Sequence, residues 1–232
     1  MKTIGLIGGM SWESTVPYYR QINELIKERL GGLHSAKIVL YSVDFHDVEA
    51  LQRCGDWDAA GRLLADAARA LEAGGANFLV LCTNTMHKVA PAIEAAVGIP
   101  LLHIADPTAQ AIKAAGFSKV GLLGTRFTME QAFYKDRLVA RHGLEVIVPN
   151  EPDREIVHRV IYDELCLGRV ADESRLEYRR VMAELIRHGA EAIILGCTEI
   201  SLLVAAGDSS VPLFDTTCLH AHTAAERALL SE

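Results

Sequence analysis

VLCTNTMH at residues 80–87 and ILGCTEIS at 194–201 are each an apolar run that stops at a short polar cluster, Cys82-Thr83-Asn84-Thr85 in the first and Cys197-Thr198-Glu199 in the second. The two cysteines stand 115 positions apart in a chain of 232 residues. Other segments recur at nearly the same offset: GLIGG at 5–9 returns as GLLGT at 121–125, and Ile99-Pro100-Leu101-Leu102 returns as Val211-Pro212-Leu213-Phe214. Repetition over half the chain marks an internal duplication. Two facing halves can place one proton-transferring group on each side of a single carbon.

Around these segments, short apolar runs alternate with longer helical patterns. The runs are Thr3–Ile7, Lys37–Val43, Phe78–Cys82, Leu101–Ile104, Val120–Leu123, Val146–Val148, Ala192–Leu195 and Leu213–Phe214. Between them, stretches such as Trp57–Ala73 and Ser174–His188 carry apolar residues at three and four spacing, as amphipathic helices do. The alternation predicts an α/β fold of two pseudo-symmetric lobes, each a mainly parallel sheet flanked by helices, with ligands outside the carboxyl ends of the strands. The active site is expected in the cleft between the lobes. The first lobe is expected over residues 1–110 and the second over 111–232, joined by a helical crossover in Thr108–Ser118. A final helix, Thr217–Leu230, is expected to pack back on the first lobe.

Composition narrows the function. Half the residues are hydrophobic, enough for a sizeable core. The net charge is -7 with acids and bases interspersed, which argues against nucleic acid as a partner. No stretch approaches the roughly 18 apolar residues of a membrane span, and the opening apolar run is too brief for a signal-peptide core. Five cysteines without a C-x-x-C pair fit free thiols in a reducing cytoplasm. None of the nine histidines falls in an H-E-x-x-H pattern, and the one close pair is His220-x-His222, so no metal site is expected. There is no G-x-S-x-G elbow and no P-loop.

The glycines of GLIGGMS at 5–11 follow a predicted strand without G-x-G-x-x-G spacing. They serve either a tight turn or the binding of a small carboxylate by backbone amides. Cys197 ends a predicted strand and precedes Thr198-Glu199 at a helix start. If Thr198 caps that helix, the dipole and free amides lower the thiol toward neutral pH. Cys54, Cys166 and Cys218 lack such company and read as structural.

LVLCTNTMH, AIILGCTEIS and the opening GLIGGMS together resemble the three signature regions of the aspartate/glutamate racemase family, including its broad-specificity amino-acid racemases. The resemblance runs from about residue 3 to about residue 227. It implies an isomerase that inverts the α-carbon of an amino acid by two-sided proton transfer, without pyridoxal phosphate or metal, in a cytoplasmic homodimer. Cys197 and Thr83 would be the two acid/base groups. Met10, Asn84, Thr85, Thr125, Thr198 and Glu199 would hold the substrate, polar groups at helix starts being good carboxylate ligands.

The chain departs from the family at two places. The usual first signature has cysteine directly before Asn-Thr, whereas Thr83 stands there and Cys82 lies one residue earlier. Neighbouring strand residues point to opposite faces, so Cys82 does not substitute without a bulge. Aspartate-selective relatives carry cations where Gln52 and Cys166 stand here, which favours a broad or neutral substrate range, with Gln52 as a side-chain contact. Two other functions stay open. One is an enolate-type decarboxylase or cis-trans isomerase of the same superfamily, which needs one protonating cysteine. The other is a non-catalytic amino-acid-binding regulator.

Overall fold

The structure, a computed structural model, describes residues 1–230. The last two residues of the expected second lobe, 231 and 232, lie outside the described residues. The chain divides into two compact units. One comprises Met1–Ile104 and residues 220–230, the other Ala105–Leu219. The first boundary therefore falls six residues before the expected 110, where α5 begins.

The first unit runs β1 (Ile4–Gly8), α1 (Trp12–Leu30), β2 (Ile38–Ser42), α2 (Phe45–Cys54), α3 (Trp57–Ala73), β3 (Phe78–Leu81), a 3₁₀ turn (Thr85–Val89), α4 (Ala90–Ala95) and β4 (Leu101–Leu102). Its four strands are parallel, in the order β2-β1-β3-β4. The second unit runs α5 (Ala105–Ala114), β5 (Lys119–Gly124), α6 (Arg126–Glu130), α7 (Ala132–His142), β6 (Glu145–Ile147), α8 (Glu151–Asp163), α9 (Asp172–Arg187), β7 (Ala192–Gly196), α10 (Ile200–Leu203) and β8 (Leu213–Asp215). Its parallel order is β6-β5-β7-β8, the same winding repeated. Helix α11 (Thr216–Leu229) carries the chain back to the first unit.

Central strands are apolar along their whole length because both faces of a parallel sheet are covered. β1, β3 and β7 are buried at every residue. In the first sheet the side chains alternate between two cores. Ile7, Leu79 and Leu81 pack with Leu64, Ala68 and Leu71 of α3, while Ile4, Leu6, Val80 and Cys82 pack with Tyr18, Ile22 and Ile26 of α1. Helix α3 follows the same logic in one dimension. Asp56 caps it by accepting from the Ala59 amide at 2.9 Å, and its apolar positions recur every three to four residues on the sheet side. In the second unit Leu123, Ile193 and Leu195 pack with Val157 and Val160 of α8 and with Tyr178, Val181 and Met182 of α9.

Helix α11 completes the α1 face. Ala221, Ala224, Ala225 and Ala228 are fully buried there, and the Lys2 amide donates to the Ala228 carbonyl at 2.8 Å. Small side chains let α11 lie close against neighbours already filled by Tyr18 and Phe78. Each buried methyl contributes about 0.8 kcal/mol.

Where β1 ends, Gly9 has φ +92°, and a Cβ at that position would stand 2.3 Å from the Val43 carbonyl oxygen. Gly55, the left-handed residue that ends α2, has φ +78° with open space around it. Gly55→Ala should therefore cost about 1 kcal/mol, the left-handed backbone term alone. Gly9→Ala should cost about 3 kcal/mol or more, because a backbone clash adds to that term. Urea unfolding of both variants checks the difference; equal losses would show that the backbone at Val43, just past β2, yields to the added methyl.

Candidate active site

In a doubly wound sheet the chain leaves neighbouring central strands toward opposite faces, which opens a crevice at their carboxyl ends. Here those strands are β1 and β3 in the first unit and β5 and β7 in the second. The segments that follow β1, β3, β5 and β7 hold eight of the nine site residues named from the sequence. Gln52 comes from α2.

After β1, the Gly9 amide donates to Thr15 Oγ1 at 2.9 Å, and Thr15 Oγ1 donates to the Ser11 carbonyl at 2.8 Å. Ser11 caps α1 by accepting from the Ser14 amide. The Gly9 amide is thus taken by a helix side chain, as the tight-turn reading of GLIGGMS expects at that residue. The Met10 side chain packs in the α3-side core.

After β3 the chain bends at once. The Cys82 amide still donates to the Ile7 carbonyl at 2.9 Å, as a ladder bond, but the Thr83 amide turns back to the Leu81 carbonyl at 2.8 Å, closing a three-residue turn centred on Cys82. Cys82 keeps the strand alternation and is fully buried on the α1 face, where desolvation holds its thiol far above the ordinary range. Thr83, Asn84 and Thr85 are buried in the turn that follows. Gln52 is buried too, its amide donating to Met86 Sδ at 2.9 Å, which ties α2 to the 3₁₀ turn.

In the second unit, Gly124 of β5 and Gly196 of β7 are register partners. A Cβ on Gly124 would lie 2.8 Å from the Gly196 carbonyl oxygen, so these two strand ends approach closely. Thr125 caps α6, accepting from the Thr128 amide at 3.3 Å. Cys197 follows β7 and borders the core. Its thiol donates to Glu199 Oε2 at 2.9 Å, and Thr198 Oγ1 donates to the same oxygen at 2.8 Å.

This arrangement corrects the expected electrostatics of Cys197. Helix α10 has only four residues, its cap position is Glu199 with no side-chain cap bond, and the Thr198 hydroxyl turns to the carboxylate. Burial pushes the Cys197 thiol well above its ordinary value of 9.0, the Glu199 carboxylate and Cys166 add to that rise, and the Glu199 backbone opposes it weakly. Cys166 is not remote either: it packs against the core that holds Cys197. Among the described residues, no group of three or more His, Cys, Asp or Glu is placed to hold a metal ion.

His87 closes the VLCTNTMH segment, and the sequence alone assigns it no role. Its ring contacts the Thr83 carbonyl through Nδ1 at 2.7 Å and the Ile104 amide through Nε2 at 3.2 Å. The four-residue spacing from Thr83 was a local signal; the partner at Ile104 left none. Thr15 and Asp215 were likewise missed. Asp215 accepts from the Thr217 and Cys218 amides at the start of α11, and burial raises its carboxyl.

The model of the Asp/Glu/hydantoin racemase family matches residues 7–224, which include all of these segments. The chain belongs to this family. It is 62% identical to a candidate Asp/Glu racemase from Yersinia pestis, whose crystal structure covers 99% of this chain and 100% of its own with a TM-score of 0.92. An aspartate racemase homologue from Pyrococcus horikoshii is 36% identical over 98% of this chain and 99% of its own, with a TM-score of 0.83. The broad specificity amino-acid racemase RacX of Bacillus subtilis is 25% identical over 93% of this chain and 94% of its own length. No helix among the described residues is long and apolar enough to cross a membrane.

The raised thiol gives a direct expectation for the racemase-family cysteine. The thiolate is the nucleophile, so a thiol held protonated at neutral pH alkylates slowly. Iodoacetamide at pH 7 should label exposed Cys54 at least about tenfold faster than Cys197, and the Cys197 rate should go on rising as the pH passes 9.0. Peptide mass spectrometry reads each site; preferential labelling of Cys197 at pH 7 would overturn its assignment as a buried, protonated thiol.

Proposed function

We propose that this chain is a cofactor-independent amino-acid racemase in which Cys197 and Thr83 work on opposite faces of the substrate α-carbon. The observation that carries the reading is the Cys197–Glu199 contact at 2.9 Å, a buried thiol with a carboxylate ready to take its proton. The α-hydrogen of an amino acid is a very weak acid, and its removal needs a base in contact and donors for the enolate-like carboxylate. Glu199 takes the thiol proton, and the substrate ammonium supplies the positive charge that makes a buried thiolate tolerable. Cys197 is then a competent base only when substrate is bound. Asn84, Thr85 and Thr125 supply donors for the carboxylate, and Thr198 joins them if its hydroxyl turns from Glu199 to the substrate.

On the other face, Thr83 is a far weaker acid and base than a thiol. An enantiomer whose α-hydrogen faces Cys197 gives up its proton readily and regains one from the same side. Exchange with solvent therefore outruns inversion for that enantiomer, while its mirror image is sluggish. Gln52, bound to Met86 where a cation would favour an acidic side chain, supports a broad or neutral substrate range. The family resemblance also supports a homodimer working in the cytoplasm, and sedimentation tests the former.

A one-sided mechanism on another acid, as in a decarboxylase or cis-trans isomerase, is favoured by a single observation, the burial of Cys82 in the core, which leaves one thiol at the strand ends. A panel of L- and D-amino acids in deuterium oxide separates the readings. Racemisation predicts label at the α-carbon together with loss of chirality; protein that labels no amino acid sinks the proposal.

Cys197→Ser should lower exchange by at least about a hundredfold with the melting temperature little changed, since a hydroxyl packs alike but is no base at neutral pH. Thr83→Cys should speed inversion and rouse the sluggish enantiomer; unchanged inertness there would remove Thr83 from the second position. Cys82→Ala should cost about 1 kcal/mol of stability and leave exchange in place.

A further inference from the structure

Three buried histidines gather behind the β3 turn. His87 and His103 lie with ring centroids 4.3 Å apart, and His87 and His220 6.0 Å apart. His220 Nε2 meets the Leu102 carbonyl at 2.8 Å, and its Nδ1 meets Tyr18 Oη at 2.9 Å. The partners of His87 define its tautomer. The Ile104 amide can only donate, so Nε2 carries no proton; the Thr83 carbonyl can only accept, so Nδ1 carries one. Both ring nitrogens are used, and the ring is buried against those of His103 and His220.

The bond goes to the carbonyl of the residue proposed as the second acid/base group. In an α-helix that carbonyl would accept from the amide four residues on. The segment instead forms a 3₁₀ turn in which the His87 amide bonds to the Asn84 carbonyl, and the His87 side chain supplies the donor that Thr83 needs. The peptide plane between Thr83 and Asn84 is thereby tied to the chain just beyond β4. Rotating that plane would turn both side chains off the substrate.

We infer that His87 is a positioning residue: as the neutral Nδ1–H tautomer it fixes the Thr83–Asn84 peptide, and turnover depends on that bond. This rests on the racemase reading above. Asparagine places a donor where Nδ1 stands, whereas glutamine places its amide where Nε2 stands. His87→Asn should keep kcat within about threefold, while His87→Gln, keeping the Ile104 contact but losing the Thr83 one, should lower kcat about tenfold with KM little moved, the loss worth one hydrogen bond.

The readout is α-deuterium exchange with the best substrate of the panel, with thermal melts of each variant. Rescue by asparagine and not by glutamine supports the inference; equal rates in the two variants, or the reverse order, overturn it. Nitrogen-15 shifts of the His87 ring in the wild-type protein decide independently of how the variants fold. A protonated Nδ1 supports the bond, and a protonated Nε2 overturns it. Wild-type protein that exchanges no amino acid defeats the racemase reading instead, and the ring shifts still judge the bond to Thr83.

Discussion

A parallel strand must send its chain back across one face of the sheet, and in the order 2-1-3-4 the two central strands do so in opposite directions. At their ends the ladder stops, the helices have yet to begin, and backbone amides and carbonyls must find other partners. In this chain those partners are side chains: Thr15 for Gly9, His87 for Thr83 and Thr125 for the start of α6, while at the end of edge strand β8 Asp215 does the same for the start of α11. The polar residues around the proposed chemistry are present first because the fold leaves backbone to satisfy. Catalytic use is laid over that requirement.

The strands were legible because burial on two faces demands unbroken apolar runs. All eight expected runs became strands, with ends shifted by two residues or fewer. Helix α3 matches its expected bounds because an aspartate cap and a Gly-Gly stop bracket it. Strand alternation also settled Cys82, which takes the core face that its parity with Val80 demands.

What the pattern hid was direction in space at short range. Thr198 before an apolar stretch reads as a cap, yet α10 is too short to orient amides toward a thiol, and Glu199 folds back on Cys197 and Thr198 instead. Burial raises the thiol, and the carboxylate that folds back on it adds to the rise, so the shift runs opposite to the one a helix start would give. His87 was hidden for another reason: its second partner, the Ile104 amide, lies 17 residues on, just beyond the end of β4.

Helix α11 has a consequence for how the protein is made. The second unit is one continuous stretch of chain, Ala105–Leu219, and can close its core as soon as that stretch has left the ribosome. The first unit is synthesised earlier but lacks the four alanines that seal β1 and β3 until residues 221–228 arrive. Its oily face must wait, exposed, while its sibling folds. The part of the chain born first is the last to finish, and the interval is when it is most open to chaperones and to aggregation.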